Sequence, residues 1–204
     1  MHQNNDSQNL SLEQGQLLVK LARHTLSQHL SKQIPQKEID SLNTALTDPC
    51  FNLSCGTFVT LTIDGKLRGC IGNLTSNESL VSGVRRNAIN AAFQDPRFSP
   101  LSLSELDRVS IEVSILSEPR PLYCREKADL LKKIRPNIDG VILRKDIASA
   151  TFLPQVWEQL PQPQDFLTQL CLKAGLAADS WQESNLEVST YQVQHFEEHR
   201  KDHS

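Results

Sequence analysis

The 204-residue sequence has no basic surplus: 21 Lys and Arg stand against 24 Asp and Glu, a formal net charge of −3. A nucleic-acid surface would show as a basic excess or stripe, so that class of partner is not expected. No stretch approaches the roughly 20 apolar residues that a bilayer span needs, so no membrane partner is expected either. The opening MHQNNDSQN is polar and lacks the basic-then-apolar form of an export signal, which points to a cytoplasmic protein. A glycine-rich phosphate loop is missing, as are internal repeats and low-complexity segments. The five cysteines, Cys50, Cys55, Cys70, Cys124 and Cys171, are odd in number, and free reduced thiols are expected rather than a disulfide framework. Cys50 and Cys55 lie close together, but no second ligand pair completes a tetrahedral zinc set, so no metal is expected there. Histidine is missing from the middle of the chain: His2, His24, His29, His195, His199 and His203 all lie near the ends.

What remains is a globular composition, 38% hydrophobic and 22% charged, in a chain long enough to bury a real core. Residues 1–10 read as a frayed tail. Ser11 to Gln14 has the form of a capping box, and Leu17, Leu18, Leu21, Ala22, Leu26 and Leu30 follow at helical spacing, so a helix is expected over 12–32. Pro35 and Pro49 mark an irregular connection. A second helix follows Asn77 as cap, with Leu80, Val84, Ala88 and Ala91 on one face and a stop at Asp95-Pro96. VSIEVSIL, from Val109, alternates as a strand. GVILRK and SATFLP read as a strand pair, QDFLTQLCLKAG as a helix stopped by Gly175, and LEVSTYQVQHF as one last strand. Helices and strands without regular βαβ alternation predict an α+β fold: a mixed, largely antiparallel sheet packed by helices, in two lobes joined near 119–125.

The segment FVTLTIDGKLRGCIGNL, Phe58 to Leu74, reads as a hairpin turning at Asp64-Gly65. A two-residue turn would set Leu61 against Arg68 and place cations on the apolar face, which is costly. A three-residue loop ending in a left-handed Gly65 instead pairs Leu61 with Leu67, Val59 with Gly69, Thr60 with Arg68 and Phe58 with Cys70. That register is expected, with Phe58, Thr60, Arg68 and Cys70 on one face. Gly69 and Gly72 weaken a strand; they either clear space for a ligand or admit a close-packed helix.

The candidate catalytic residues are Cys70, as nucleophile or redox thiol, and Glu112, as base. A cation beside a thiol favours the nucleophilic thiolate, and Arg68 stands two residues away; the bland reading is a small buried cysteine. Glu112 lies on the polar face of its strand, either facing Arg68 or simply solvated. Arg68, Gly69, Gly72, Thr60 and Arg97 are the candidate substrate-binding residues. Arg97, in Asp95-Pro96-Arg97-Phe98, would hold a carboxylate or phosphate, or else brace the loop against Asp95. His195, His199 and His203, spaced four apart, would line one face of a helix but form no expected metal site.

The residues LRGCIG, Leu67 to Gly72, with the preceding FVTL, resemble the hallmark of the AMMECR domain family. AAFQDPRFSPL, IEVSIL, DGVIL, FLPQV and FLTQLCLKAGL resemble further segments of that family in the same order. The resemblance covers about residues 11–198, leaving 199–204 as a tail. One departure is Arg144-Lys145-Asp146, where family members often carry an acidic residue or glycine-rich turn. The resemblance implies one α+β domain with a larger and a smaller subdomain and a cleft near LRGCIG. It also implies kinship with the A component of the AmmeMemoRadiSam system, and so two partners: a Memo-like protein and a radical S-adenosylmethionine enzyme. It names neither reaction nor cofactor. Two functions are therefore carried forward: an enzyme or enzyme component acting on a small molecule or peptide, and a non-catalytic docking module. An accessible, reactive Cys70 favours the first; a buried Cys70 with Arg68 paired to an internal carboxylate favours the second.

Overall fold

The computed structural model describes residues 9–75, 77–124, 127–183 and 185–198. Of the tails expected at 1–10 and 199–204, residues 1–8 and 199–204 lie outside those residues; Leu10, expected in the first tail, is instead buried, and its N–H donates to Gln194 Oε1 at 2.9 Å. The chain divides into two compact units, one of residues 1–116 and 194–204 and one of residues 117–193.

In the first unit, α1 (Leu12–His29) starts at the expected capping box: the Gln14 N–H donates to Ser11 Oγ, and the Ser11 N–H to Gln14 Oε1. The helix stops three residues earlier than its apolar stripe suggests. Ser31 turns left-handed (φ 57°), and the N–H groups of Ser31 and Lys32 close onto the carbonyls of Gln28 and Ser27. An unexpected helix, α2 (Gln36–Ala45), occupies the connection between the two prolines. Pro35 opens it rather than breaking it, since proline's missing N–H costs nothing at a helix start. In α3 (Leu80–Phe93), Ser79 replaces Asn77 as the cap and accepts from the Ser82 N–H.

Strands β1 (Thr57–Ile63), β2 (Lys66–Asn73), β3 (Val109–Leu116) and β8 (Val193–Glu197) form a sheet in the order β2-β1-β3-β8. Val59, Leu61, Ile111 and Val113 are buried with Leu18, Leu21, Leu26, Val84, Ala88 and Ala91 in one core under α1 and α3. By strand alternation, Phe58, Thr60, Cys70 and Glu112 point to the side away from these helices.

The hairpin register differs from the expected one. Asp64 and Gly65 form a two-residue turn with both φ positive (51° and 73°), and Ile63 pairs with Lys66. The extra residue is taken up by Arg68 in a bulge, so that Thr62 pairs with Leu67 but Leu61 with Gly69. Thr60 therefore faces Cys70, and Phe58 faces Gly72. The cation is kept off the apolar face by a bulge within β2 rather than by a longer turn. Leu67, expected in the core, is instead 43% exposed.

In the second unit, β4 (Arg120–Pro121), β7 (Glu187–Tyr191), β5 (Gly140–Lys145) and β6 (Ala148–Phe152) form an antiparallel sheet in that order. The helices α5 (Lys127–Lys133) and α6 (Pro163–Lys173) belong to it, and the short α4 (Leu103–Leu106) to the first unit. Gly175 ends α6 in a left-handed turn (φ 76°), as expected from the sequence. Trp157 stacks on Phe166 at 3.7 Å, and its Nε1–H donates to the Asp139 carbonyl at 2.7 Å. The segment expected as one last strand is two, β7 and β8, each in a different sheet with Gln192 between them.

Candidate functional site

Cys70 sits on an edge strand, and its backbone groups turn away from β1. Its N–H donates to Asp95 Oδ2 at 2.9 Å, and its carbonyl accepts from Arg97 Nη2 at 3.3 Å. Two side chains of one loop thus stand where a further strand would pair. Because those groups point outward, Cys70 and Thr60 are a pair without mutual backbone bonds, the kind whose side chains come closest. Thr60 Oγ1 accordingly lies 3.1 Å from Cys70 Sγ. Both residues are half-buried.

Asp95 is the anchor of this brace. It is buried, and it accepts from the Arg97 N–H (3.1 Å), Arg97 Nε (2.9 Å) and Arg97 Nη2 (2.7 Å) as well as from Cys70. The Arg97 guanidinium, and after it the backbone N–H groups, hold the Asp95 carboxyl well below the usual carboxylate range. Of the two sequence readings of Arg97, the loop brace is the contact observed. Phe98 follows, with the guanidinium carbons of Arg97 and Arg68 at 5.5 and 6.0 Å from its ring centre.

The bulge aims Arg68 at α4. Its Nε and Nη2 donate to the two Glu105 carboxylate oxygens at 2.9 and 3.2 Å. Glu105 also caps its own helix, accepting from the Ser102 N–H and Oγ, and the Arg68 guanidinium with these bonds lowers its carboxyl to about 2. Arg68 is therefore neutralised by Glu105, not by Glu112. Its Nη1 is buried without a hydrogen-bond partner among the described residues.

The two glycines meet close neighbours. A Cβ on Gly69 would lie 2.1 Å from the Ala91 carbonyl oxygen of α3, and one on Gly72 would lie 2.3 Å from the Phe58 ring and the Thr57 carbonyl oxygen. The close-packed helix is thus what occupies the space beside Gly69.

The polar row continues across the sheet. Thr60 pairs with Glu112 on β3. Glu112 Oε1 accepts from Ser114 Oγ at 3.0 Å and lies 3.3 Å from His195 Nδ1, which also lies 3.1 Å from Ser114 Oγ. The His195 bond lowers the Glu112 carboxyl below its usual range, against the opposing effect of burial. His195 is carried by strand β8, not by the helix that its spacing from His199 and His203 suggested; those two lie outside the described residues. The strand reading of LEVSTYQVQHF already contained His195 at an alternating position, and that was the one available signal. Among the described residues, no group of three or more His, Cys, Asp or Glu side chains gathers as a metal site.

Comparison with known proteins gives this arrangement a lineage. Residues 19–196 match the family model described as AMMECR1. The chain belongs to the AMMECR1 family. A Methanothermobacter thermautotrophicus protein is 37% identical over 197 residues, covering 93% of this chain and 96% of its own length. A Nanoarchaeum equitans protein is 40% identical over 149 residues, covering 72% of this chain and 83% of its own. Among solved structures, the uncharacterised Pyrococcus horikoshii protein PH0010 is similar at a TM-score of 0.73 and 34% identity, covering 90% of this chain and 91% of that one. The AMMECR1-family fold here is α+β, built from helices and two antiparallel sheets.

Three other thiols of this AMMECR1-family chain are held in their protonated form by their surroundings, while Cys124 is half-buried like Cys70. Burial pushes Cys55 up to about 11, and burial with the adjoining Asp48 carboxylate does the same to Cys50. Cys171, fully buried, is raised by the same loss of water.

Proposed function

We propose that this AMMECR1-family protein is an enzyme or enzyme component whose working surface is the polar side of the β2-β1-β3-β8 sheet. Cys70 is its nucleophilic or redox thiol, Thr60 its nearest polar neighbour, and Glu112 belongs to its acid–base chemistry. Arg97 and Arg68 are its cations, and the substrate is a small molecule or peptide. The protein works in the cytoplasm beside a Memo-like protein and a radical S-adenosylmethionine enzyme, as the family resemblance implies. One observation carries the reading: Cys70, Thr60 and Glu112 occupy paired positions in one row on the face away from the helices. A thiol, a hydroxyl and a carboxylate aligned on a half-buried sheet face form a polar cluster beyond what packing needs.

Alkylation tests it. With limiting iodoacetamide near neutral pH, and peptide mapping by mass spectrometry, Cys70 should react at least about tenfold faster than Cys50, Cys55, Cys124 and Cys171, as a nucleophilic role requires. Equal or slower labelling of Cys70 would overturn its role as a reactive thiol.

A second reading, a non-catalytic docking module, is favoured by the bidentate pairing of Arg68 with Glu105. It expects slow labelling of Cys70, together with co-purification of the Memo-like or radical-enzyme partner that survives Cys70→Ala. Failure to co-purify any partner, combined with turnover of a small metabolite, would sink it.

A further inference from the structure

We propose that the crevice between α1 and α2 binds a small zwitterion of amino-acid size, its ammonium held by Glu38 and His24 and its carboxylate by Lys20. The site lies in the helix layer of the first unit. It is independent of the reading of the polar sheet face.

A cavity of about 270 Å³ opens there, lined by Gln16, Lys20, Arg23 and His24 of α1, by Glu38 of α2 and by Glu198. Gln16, Lys20 and His24 recur every four residues and so stand on one face of the helix. The helix α2 leaves room beside them because it is seated on one buried residue, Leu42.

Arg23 and Glu198 satisfy each other. Arg23 Nε donates to Glu198 Oε1 at 2.8 Å, Nη2 donates to Glu198 Oε2, and Nη1 donates to the Leu106 carbonyl at 2.6 Å. Three charged or titratable groups of the wall remain. Lys20 is exposed and in no ion pair among the described residues. Glu38 Oε2 is 3.8 Å from His24 Nε2, too far for a hydrogen bond. The His24 side chain is only 10% exposed, yet neither ring nitrogen is hydrogen-bonded among the described residues. A buried polar group left unpaired is costly, so His24 points to a partner that comes from outside the chain.

Burial, and after it the Lys20 cation, lower the His24 imidazole from its ordinary value, so it is neutral near pH 7. No bond among the described residues fixes its tautomer, and the ring is free to present the lone pair that an ammonium requires. The wall carries both signs of charge. A lone anion would meet Glu38 and Glu198, and a lone cation would meet Lys20 and Arg23. A molecule with both charges meets a complementary group at each end. The volume lies below the roughly 300–1,000 Å³ of sites for drug-sized ligands, which sets the size. A solvated groove between two helices is the simpler alternative. It accounts for the exposed Lys20 and Glu38 but not for His24, buried and unbonded beside them.

Titration of the full chain with L-alanine tests this, followed by calorimetry and by the NMR ring signals of isotope-labelled histidine. L-Alanine should bind at one site per chain and shift one histidine signal, the one missing from His24→Gln. Acetate and methylammonium, which carry one charge each, should bind at least about tenfold more weakly. Lys20→Met and Glu38→Gln, both at exposed positions, should each weaken L-alanine binding about fivefold, since water partly screens the charges they remove. L-Alanine binding weaker than about 10 mM, acetate or methylammonium binding as tightly as L-alanine, or affinity unchanged in both variants would overturn the proposal. Calorimetry needs no signal assignment, so a misfolded His24→Gln cannot mask the answer.

Discussion

Replacing Asp95 by alanine should lower the unfolding free energy by about 3 kcal/mol, the lower end of the range for breaking a buried charge pair. Four donors converge on this carboxylate: the Cys70 and Arg97 N–H groups and two nitrogens of the Arg97 fork. Alanine leaves the Cys70 N–H on a strand edge without its acceptor, and an unmet buried donor alone costs about 1–3 kcal/mol. The loss stays near the lower end because the Arg97 side chain is 54% exposed and water resolvates it. The Asp95→Asn variant keeps the shape and an acceptor but no charge, so its loss should be smaller, about 1–2 kcal/mol. Urea unfolding followed by circular dichroism measures both. A loss under about 1 kcal/mol for the alanine variant would show that the brace is not a main support of β2.

The same carboxylates set the acid limit. The folded-state values of Asp95 and Glu105 are depressed, Asp95 well below the usual range and Glu105 to about 2. A depressed carboxylate contributes stability that is fully present above its unfolded value, near 4, and that is lost as pH falls through the folded value. Stability should therefore decline from about pH 5 toward pH 2, more steeply in the wild type than in Asp95→Asn. Parallel acid profiles would contradict the assignment.

Gly69→Ala should be at least as damaging, at about 3 kcal/mol or more, beyond the usual cost of overpacking. The new methyl would sit 2.1 Å from the Ala91 carbonyl oxygen, a backbone atom of α3 that no rotamer change can move. Either β2 or α3 must shift, and the core under Leu61 and Ala88 opens with it. In a chain of this size that corresponds to a fall in Tm of roughly 6–12 °C. Gly65→Ala is the control. Gly65 has φ 73° but nothing within 4 Å of a Cβ, so only backbone strain opposes the change. That strain costs about 1–2 kcal/mol. Equal losses at the two positions would remove the close approach as the reason for Gly69.

Local chemistry was legible in the sequence. The Ser11–Gln14 capping box, the Gly175 stop, the alternation of Val109 to Leu116 and the turn at Asp64-Gly65 each depend on neighbours a few residues apart, and each stands where the pattern places it. The α+β class followed from the order of such elements, and the family from the run LRGCIG and its companion segments. Long-range choices were not legible. One extra residue in the hairpin can be absorbed at the turn or within the strand with the same parity for Cys70, and the Arg68–Glu105 pair, 37 residues apart, goes with the bulge. Asp95 reaches Cys70 across 25 residues, and His195 reaches Glu112 across 83. Periodicity assigns a residue to a face of its own element but cannot say which strand lies beside it. The cross-strand neighbours of Cys70 and Glu112 were therefore decided by the order β2-β1-β3-β8, and the partners of Arg68 and of the Cys70 backbone by the packing of α4 and the Asp95 loop against β2, which only the tertiary structure establishes.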